Sequence, residues 1–331
     1  MDFIFIFQQS ISAAVGVNAI IFALAAIGLN MHFGYTGLLN FGQAGFLAVG
    51  AYTVATLVVS FDVSLWLAFL AGIGTSIILA LLLGIPTLRL RADYLAIVTI
   101  ATSEIIRQVA RSVTMREYLG GSDGITGKFG AEFFDLNPFP NGLDTPLIRF
   151  TPNDLWVVLV GWTLVALFVF LNWVIMRSPW GRVIKGIRED EDAVRSLGKN
   201  VYLYKMQSLI LGGIAGSVAG FVYAISRQSV QPDNYSTALT FFAYAVLILG
   251  GAARVFGPVV GSVIFWFLLV FIEQFFRQGM SANLIPDWLM NNNQVGSVRF
   301  ILVGVALMLL MIYRPQGIFG DKKELALNAR A

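Results

Sequence analysis

Glu104 and Arg107 stand three residues apart inside the apolar stretch Tyr94–Val113, a spacing that sets both on one helical face where they can pair. An ionisable pair in a segment of membrane length reads either as part of a translocation path or as an internal clasp, because charge at that depth is costly without a task or a partner. Other chemistry is sparse. His32 is the one histidine and there is no cysteine, so disulfides and thiolate metal sites are excluded, and a His-based centre would rest on a single imidazole. The run GSDGITGK at 121–128 superficially matches a phosphate-binding loop. The match fails, since the glycine required five residues before Gly127 is Ser122, and Phe129 follows the lysine. The chain is therefore expected to carry no catalytic residue, no metal and no cofactor of its own.

What must hold these residues is a membrane bundle. Of 331 residues 57% are hydrophobic and only 12% charged, with mean hydropathy +0.76, whereas soluble domains run near a quarter charged. The formal charge of +3 points to no nucleic acid; the partner that composition dictates is the lipid bilayer. The pattern predicts an all-α polytopic membrane protein of about nine spans, with eight to ten the range. They are Ile11–Asn30, Leu38–Ser60 (a re-entrant segment in the alternative count), Ser64–Ile85, Tyr94–Val113, Asp154–Met176, Met206–Tyr223, Leu239–Leu249, Val259–Phe275 and Val298–Tyr313. Asp2 and no basic residue precede the first span, so the N-terminus is placed outside and the C-terminus in the cytoplasm. Residues 1–320 form one transmembrane domain and 321–331 a polar cytoplasmic tail. Residues 114–153 make an outer loop, long enough that it must be partly folded or functional. In a later outer loop Ile285, Trp288 and Leu289 predict an interfacial helix.

Glycine marks two places. Between His32 and Tyr52, Gly34, Gly37, Gly42, Gly45 and Gly50 alternate with Asn40, Phe41, Gln43 and Phe46. Glycine this dense weakens a helix, and reads as a discontinuous helix at a translocation path or as close packing through small residues. Asn40, Phe41, Gln43 and Phe46, with Glu104 and Arg107, are the candidates for the path. Gly212, Gly216 and Gly220 follow at strict four-residue spacing, which makes one smooth face for helix contact. Phe256–Gly257 with Gly261 faintly echoes Phe41–Gly42 with Gly45, as an internal repeat would.

The most charged run is Arg177–Lys205, residues 177–205, RSPWGRVIKGIREDEDAVRSLGKNVYLYK. Its basic residues sit next to two spans, which places the loop in the cytoplasm. Ile184, Ile187, Val194 and Leu197 form one apolar stripe if the segment is helical, and Gly198 supplies a stop. Such a helix lies on headgroups or on a soluble partner. Four consecutive carboxylates, Glu189–Asp192, disfavour an anionic leaflet and favour a protein.

GYTGLLNFGQAGFLAVGAY, GGSDGITG, the charged run above, LILGGAARVFGPVVGS and RPQGIFG occur in this order over most of the chain. Together they resemble the inner-membrane permease of branched-chain amino acid ABC importers. The resemblance implies a bacterial inner-membrane protein whose coupling helix, around Glu189–Leu197, docks into a separate ATPase. Arg188, Glu189, Asp190, Glu191, Ala193, Val194, Leu197 and Gly198 are then the ATPase-coupling residues. It further implies two such ATPases carrying ATP and Mg, a homologous second permease forming a heterodimer, and an extracytoplasmic binding protein. The same family look extends to permeases for urea and short amides. Two other classes stay open: an ion-coupled secondary transporter with Glu104 as proton carrier, and a passive channel for urea-like solutes.

Overall fold

The structure is a computed structural model and describes residues 2–90, 92–127, 129–145, 148–282, 294–314 and 316–320. Its first helix, α1 (Phe3–Ala14), starts on Asp2, whose Oδ1 accepts from Phe5 N at 3.1 Å. It ends at Val15 and Gly16, and α2 (Val17–Leu29) continues from the extended Gly16. The expected first span, Ile11–Asn30, thus lies within a longer helical run, Phe3–Tyr35, broken at Val15 and Gly16. Phe7 of α1 packs against Phe267 and Phe271, ring centroids 6.4 and 5.6 Å apart.

After a π-helical turn, Asn30–Tyr35, and an irregular stretch come α3 (Gln43–Phe61), α4 (Leu65–Thr87) and α5 (Ala92–Arg111). The long segment 114–153 is partly folded, one of the two alternatives that its length left open. It carries the short helices α6 (Arg116–Leu119) and α7 (Ala131–Asp135) and the strands β1 (Ile125–Thr126), β2 (Leu143–Asp144) and β3 (Arg149–Phe150). Phe129 and Phe133 are buried under it, and Trp156 Nε1 donates to Phe133 O at 2.9 Å. The glycine-rich GGSDGITG segment ends in β1, which pairs antiparallel with β4 (Ser229–Val230). It is used for a tight strand connection.

Then follow α8 (Pro152–Arg177), α9 (Pro179–Glu189), α10 (Glu191–Ser196), α11 (Val201–Arg227), α12 (Thr237–Gly250), α13 (Gly257–Ser281) and α14 (Val295–Tyr313). Among the described residues, seven helical segments are long and apolar enough to cross a membrane: Phe3–Tyr35, α3, α4, α8, α11, α13 and α14. A helix stands at each of the nine expected spans; the two that miss this standard are α5, which carries Glu104 and Arg107, and α12. With 14 residues, α12 rises only ~21 Å, short of the ~30 Å hydrocarbon core. The expected interfacial helix around Trp288 lies outside the described residues.

At the centre α11 packs on α2 and α3 through its glycines. A Cβ on Gly212 would come within 2.5 Å of Gly28 O, and one on Gly220 would collide with Leu47 O. From the other side, a Cβ on Gly50 would meet Ser217 O at 2.6 Å. Backbones this close gain dispersion contacts that larger side chains would prevent.

Candidate functional site

The charged run folds as two helices joined at a corner. Ser178 starts α9, its Oγ accepting from Gly181 N at 3.3 Å, with Pro179 pre-set for the first turn. Asp190 leaves the helical conformation (φ −153°) and caps α10, its Oδ1 accepting from Ala193 N at 2.9 Å. This corner divides the expected single stripe. Ile184 and Ile187 are buried against Met31, Tyr35, Met176 and Val201, which contributes ~2 kcal/mol each. Val194 packs at the edge of that cluster, while Leu197 is 78% exposed. The stripe failed as one face because a good N-cap residue interrupts it.

The carboxylates hold the corner in shape. Glu189 accepts from Arg188 (3.0 and 2.7 Å), and Arg195 bridges Glu191 and Asp192, both at 2.8 Å. Lys205 of α11 also pairs with Glu191. Gly198 then turns with φ +75° and open space around it. The result is an exposed knob, α10 with Leu197, on a base packed into the bundle.

Arg188 joins this base to the broken helix. Its Nη1 donates to Gly34 O at 2.6 Å, inside the π-helical turn. Gly37 has φ +74° and lies under the Arg188 stem, where a Cβ would stand 3.2 Å from Arg188 Cγ. The turn is tied onward in two directions. Asn30 Nδ2 donates to Arg254 O and its Oδ1 accepts from Ala253 N, both at 2.8 Å, which fastens it to the break between α12 and α13. His32 Nε2 meets Leu209 O at 3.1 Å and its Nδ1 meets Asn40 Nδ2 at 3.0 Å. Thr36 Oγ1 and Ser208 Oγ, 2.6 Å apart, add a third link to α11. The faint echo between residues 41–45 and 256–261 falls at the starts of α3 and α13, the two breaks that Asn30 and its neighbours connect.

The other path candidates fall in two groups. Asn40, Gln43 and Phe46 are each 0% exposed. Asn40 Oδ1 accepts from Gly42 N at 2.9 Å at the start of α3, and its backbone O accepts from Tyr244 Oη at 2.9 Å. Gln43 Nε2 donates to Gly212 O at 3.2 Å. Phe46 fits over Gly213 of α11. Phe41 is half-buried against Tyr244 and Phe241, centroids 4.7 and 5.5 Å away. Glu104 and Arg107 do pair, at 2.9 and 2.6 Å, but at the far end of the bundle, where Arg107 also grips Asp233 at 2.7 Å. Asp233 lies in the turn Pro232–Tyr235 between β4 and α12.

His32, Asn30 and Asp233 were not candidates from sequence. His32 and Asn40 are eight apart across irregular backbone, and Asn30 and Asp233 reach partners more than 120 residues away, so no local spacing announces them.

A family model described as the branched-chain amino acid transport system / permease component matches residues 12–313. The chain is 33% identical over 319 residues to the high-affinity branched-chain amino acid transport system permease protein LivM of Salmonella typhimurium, covering 93% of this chain and 69% of that one. The protein of the same name from Escherichia coli is 32% identical over 316 residues, covering 92% and 69%. The probable branched-chain amino acid transport permease protein LivM of Methanocaldococcus jannaschii is 24% identical over 343 residues, with 91% of each chain covered.

Proposed function

Since the chain belongs to the branched-chain amino acid transport system / permease component family, we propose that it is the membrane-spanning permease subunit of an ATP-driven importer carrying branched-chain amino acids into the cell. ATP and Mg are handled by two ATPase subunits docked on α10. A homologous second permease completes the channel as a heterodimer, and an extracytoplasmic binding protein delivers the substrate. The protein sits in the bacterial inner membrane with α9 and α10 in the cytoplasm, its N-terminus outside and its C-terminus inside. Arg177, Arg182, Lys185, Arg188, Arg195, Lys199 and Lys205 crowd that end, as cytoplasmic loops do.

The observation that carries this reading is the Arg188–Gly34 bond. An exposed knob that merely lay on the surface would have no way to act on the spans. Here a push on Leu197 and α10 moves α9 as a packed body and pulls on the turn Asn30–Tyr35. From there Asn30 carries the displacement to the break between α12 and α13, and His32 carries it to α11. Rigid-body rocking of helices around such breaks is a general route to alternating access. The ion-coupled alternative gains no support from Glu104, whose carboxylate is already claimed by Arg107 and Gln108.

The test is a mild-detergent pull-down of the tagged chain from its own host, beside Leu197→Asp. That change touches an exposed side chain (78%) and leaves the base of α9 intact. Wild type is expected to bring down ATPases and a second permease, and the variant to lose only the ATPases. A wild-type chain that retains no ATPase, under conditions that keep other such complexes whole, would sink the proposal.

A further inference from the structure

A cavity of about 510 Å³ opens between α3, α4 and α5, at the end of the bundle away from α10. Its walls are mostly apolar, with Ala71 of α4 and Val109 of α5 among them, and one side carries Tyr52, Thr53, Thr56 and Thr75. Volume and lining match those of small-molecule sites, where a few polar groups orient a ligand against apolar walls. Thr53 Oγ1 and Thr75 Oγ1 lie 3.0 Å apart, and Thr75 also donates to Gly72 O at 3.0 Å, so Thr53 donates to Thr75 and keeps its own lone pairs open. Tyr52 is only 6% exposed, and its Oη has no hydrogen-bond partner among the described residues. A buried hydroxyl without a partner calls for an explanation.

The charged cluster lies on a different face of α5: none of Glu104, Arg107, Arg111 and Asp233 lines this cavity. Arg107 and Arg111 leave the same turns of α5 as Val109 and hold Asp233 at 2.7 and 3.4 Å. The Tyr52 ring lies 6.1 Å from that of Tyr235, two residues beyond Asp233. Glu104 and Asp233 keep 38% and 64% of their side chains exposed.

We propose that this cavity is a station for the substrate on its way through the protein. Its apolar wall takes the aliphatic side chain of a branched-chain amino acid. The Tyr52 and Thr53 hydroxyls take its polar end. A lipid tail would use the apolar wall alone and has no need of the hydroxyls. The proposal rests on the importer reading and gives that reading a place for its cargo, which Asn40, Gln43 and Phe46, fully buried, do not offer.

The absence of cysteine makes a direct test clean, because an introduced thiol is the sole one on the chain. Thr53→Cys is placed in membranes carrying the whole transport system, with its binding protein supplied, and exposed to a water-soluble maleimide. Thr75→Cys serves as a second reporter should the first variant fail to assemble, and Leu82→Cys, on the outer face of α4, as a control. Labelling at Thr53→Cys or Thr75→Cys is expected to slow at least fivefold with saturating leucine and to be unmoved by aspartate, with the control indifferent to both. Ala71→Leu, which fills the cavity, is expected to cut maximal leucine uptake about tenfold at wild-type membrane levels. Labelling indifferent to leucine, reaction with a lipid-soluble reagent alone, or Ala71→Leu transporting at the wild-type rate would each overturn the proposal while the importer reading stood. A wild-type chain that supports no leucine uptake would overturn both.

Discussion

Leu209 O can only accept a hydrogen bond, so the imidazole of His32 must carry its proton on Nε2, leaving Nδ1 to accept from Asn40 Nδ2. One neutral tautomer thus links three elements, and nothing apolar of the same size can replace it. His32→Leu leaves the Asn40 amide without its partner and removes the second bond on Leu209 O, which keeps its bond within α11, and is expected to cost about 2 kcal/mol, one unsatisfied group at 1–3. A thermal melt in detergent reads this directly; a loss under 1 kcal/mol would mean the amide finds another partner. The glycines make a sharper contrast. Gly212→Ala must push α11 off Gly28 and His32, an overpacking cost of about 1–3 kcal/mol. Gly74→Ala, with nothing within 4 Å of the new methyl, should be neutral or stabilise by up to ~1 kcal/mol. Equal melting temperatures for the two variants would refute the account of the seam. Spacing of four residues foretold that seam because it keeps to one helical face. The His32–Asn40 pair was hidden because the chain between them follows no period.

At the scale of elements, the charged run shows how a pattern can be right in parts and wrong as a whole. The apolar residues at 184, 187, 194 and 197 do fall near one face of a continuous helix, and the first two are buried. Yet Asp190 is a strong cap, and its capping of Ala193 N ends one helix and starts another, so Leu197 is turned out. Leu197 is thereby free for a partner, while Ile184 and Ile187 anchor. The bond between Arg188 and Gly34 was beyond any local signal, since its ends are 154 residues apart. It is also where coupling can be cut without dismantling either side. Arg188→Ala is expected to let the assembled complex hydrolyse ATP within about twofold of wild type while leucine uptake falls at least tenfold. Arg188→Lys should recover part of that uptake, because an ammonium can reach the carbonyl but lacks the fork that also holds Glu189. If hydrolysis and uptake fell together and in proportion, Arg188 would belong to assembly rather than to transmission.

Seen whole, the molecule has two ends of different construction. One bears α9, α10 and the basic residues that flank α8 and α11; the other bears the folded loop with β1 to β4 and the Arg107–Arg111–Asp233 cluster. The number of spans was legible wherever a run was both long and uniformly apolar, because the bilayer core sets that length. It was ambiguous at α5 and α12, where charge or shortness breaks the rule, and both are shielded by neighbours: Leu95, Thr99, Ser103 and Ala110 of α5 are buried, as are Val246 and Leu247 of α12. The folded loop and α9 are joined by α8 alone, a single crossing, so with the basic bias at the α10 end the two ends are expected on opposite sides of the membrane. Leu136→Cys and Leu197→Cys, at positions 58% and 78% exposed, report on each end in a chain with no other thiol. An impermeant maleimide should label position 136 only in right-side-out vesicles and position 197 only in inverted ones. Docked ATPases should further slow labelling at 197, and their removal restore it. If both positions labelled from one side, α8, the one membrane-length helix between them, would not cross, and the cytoplasmic assignment of α10 would fall with it.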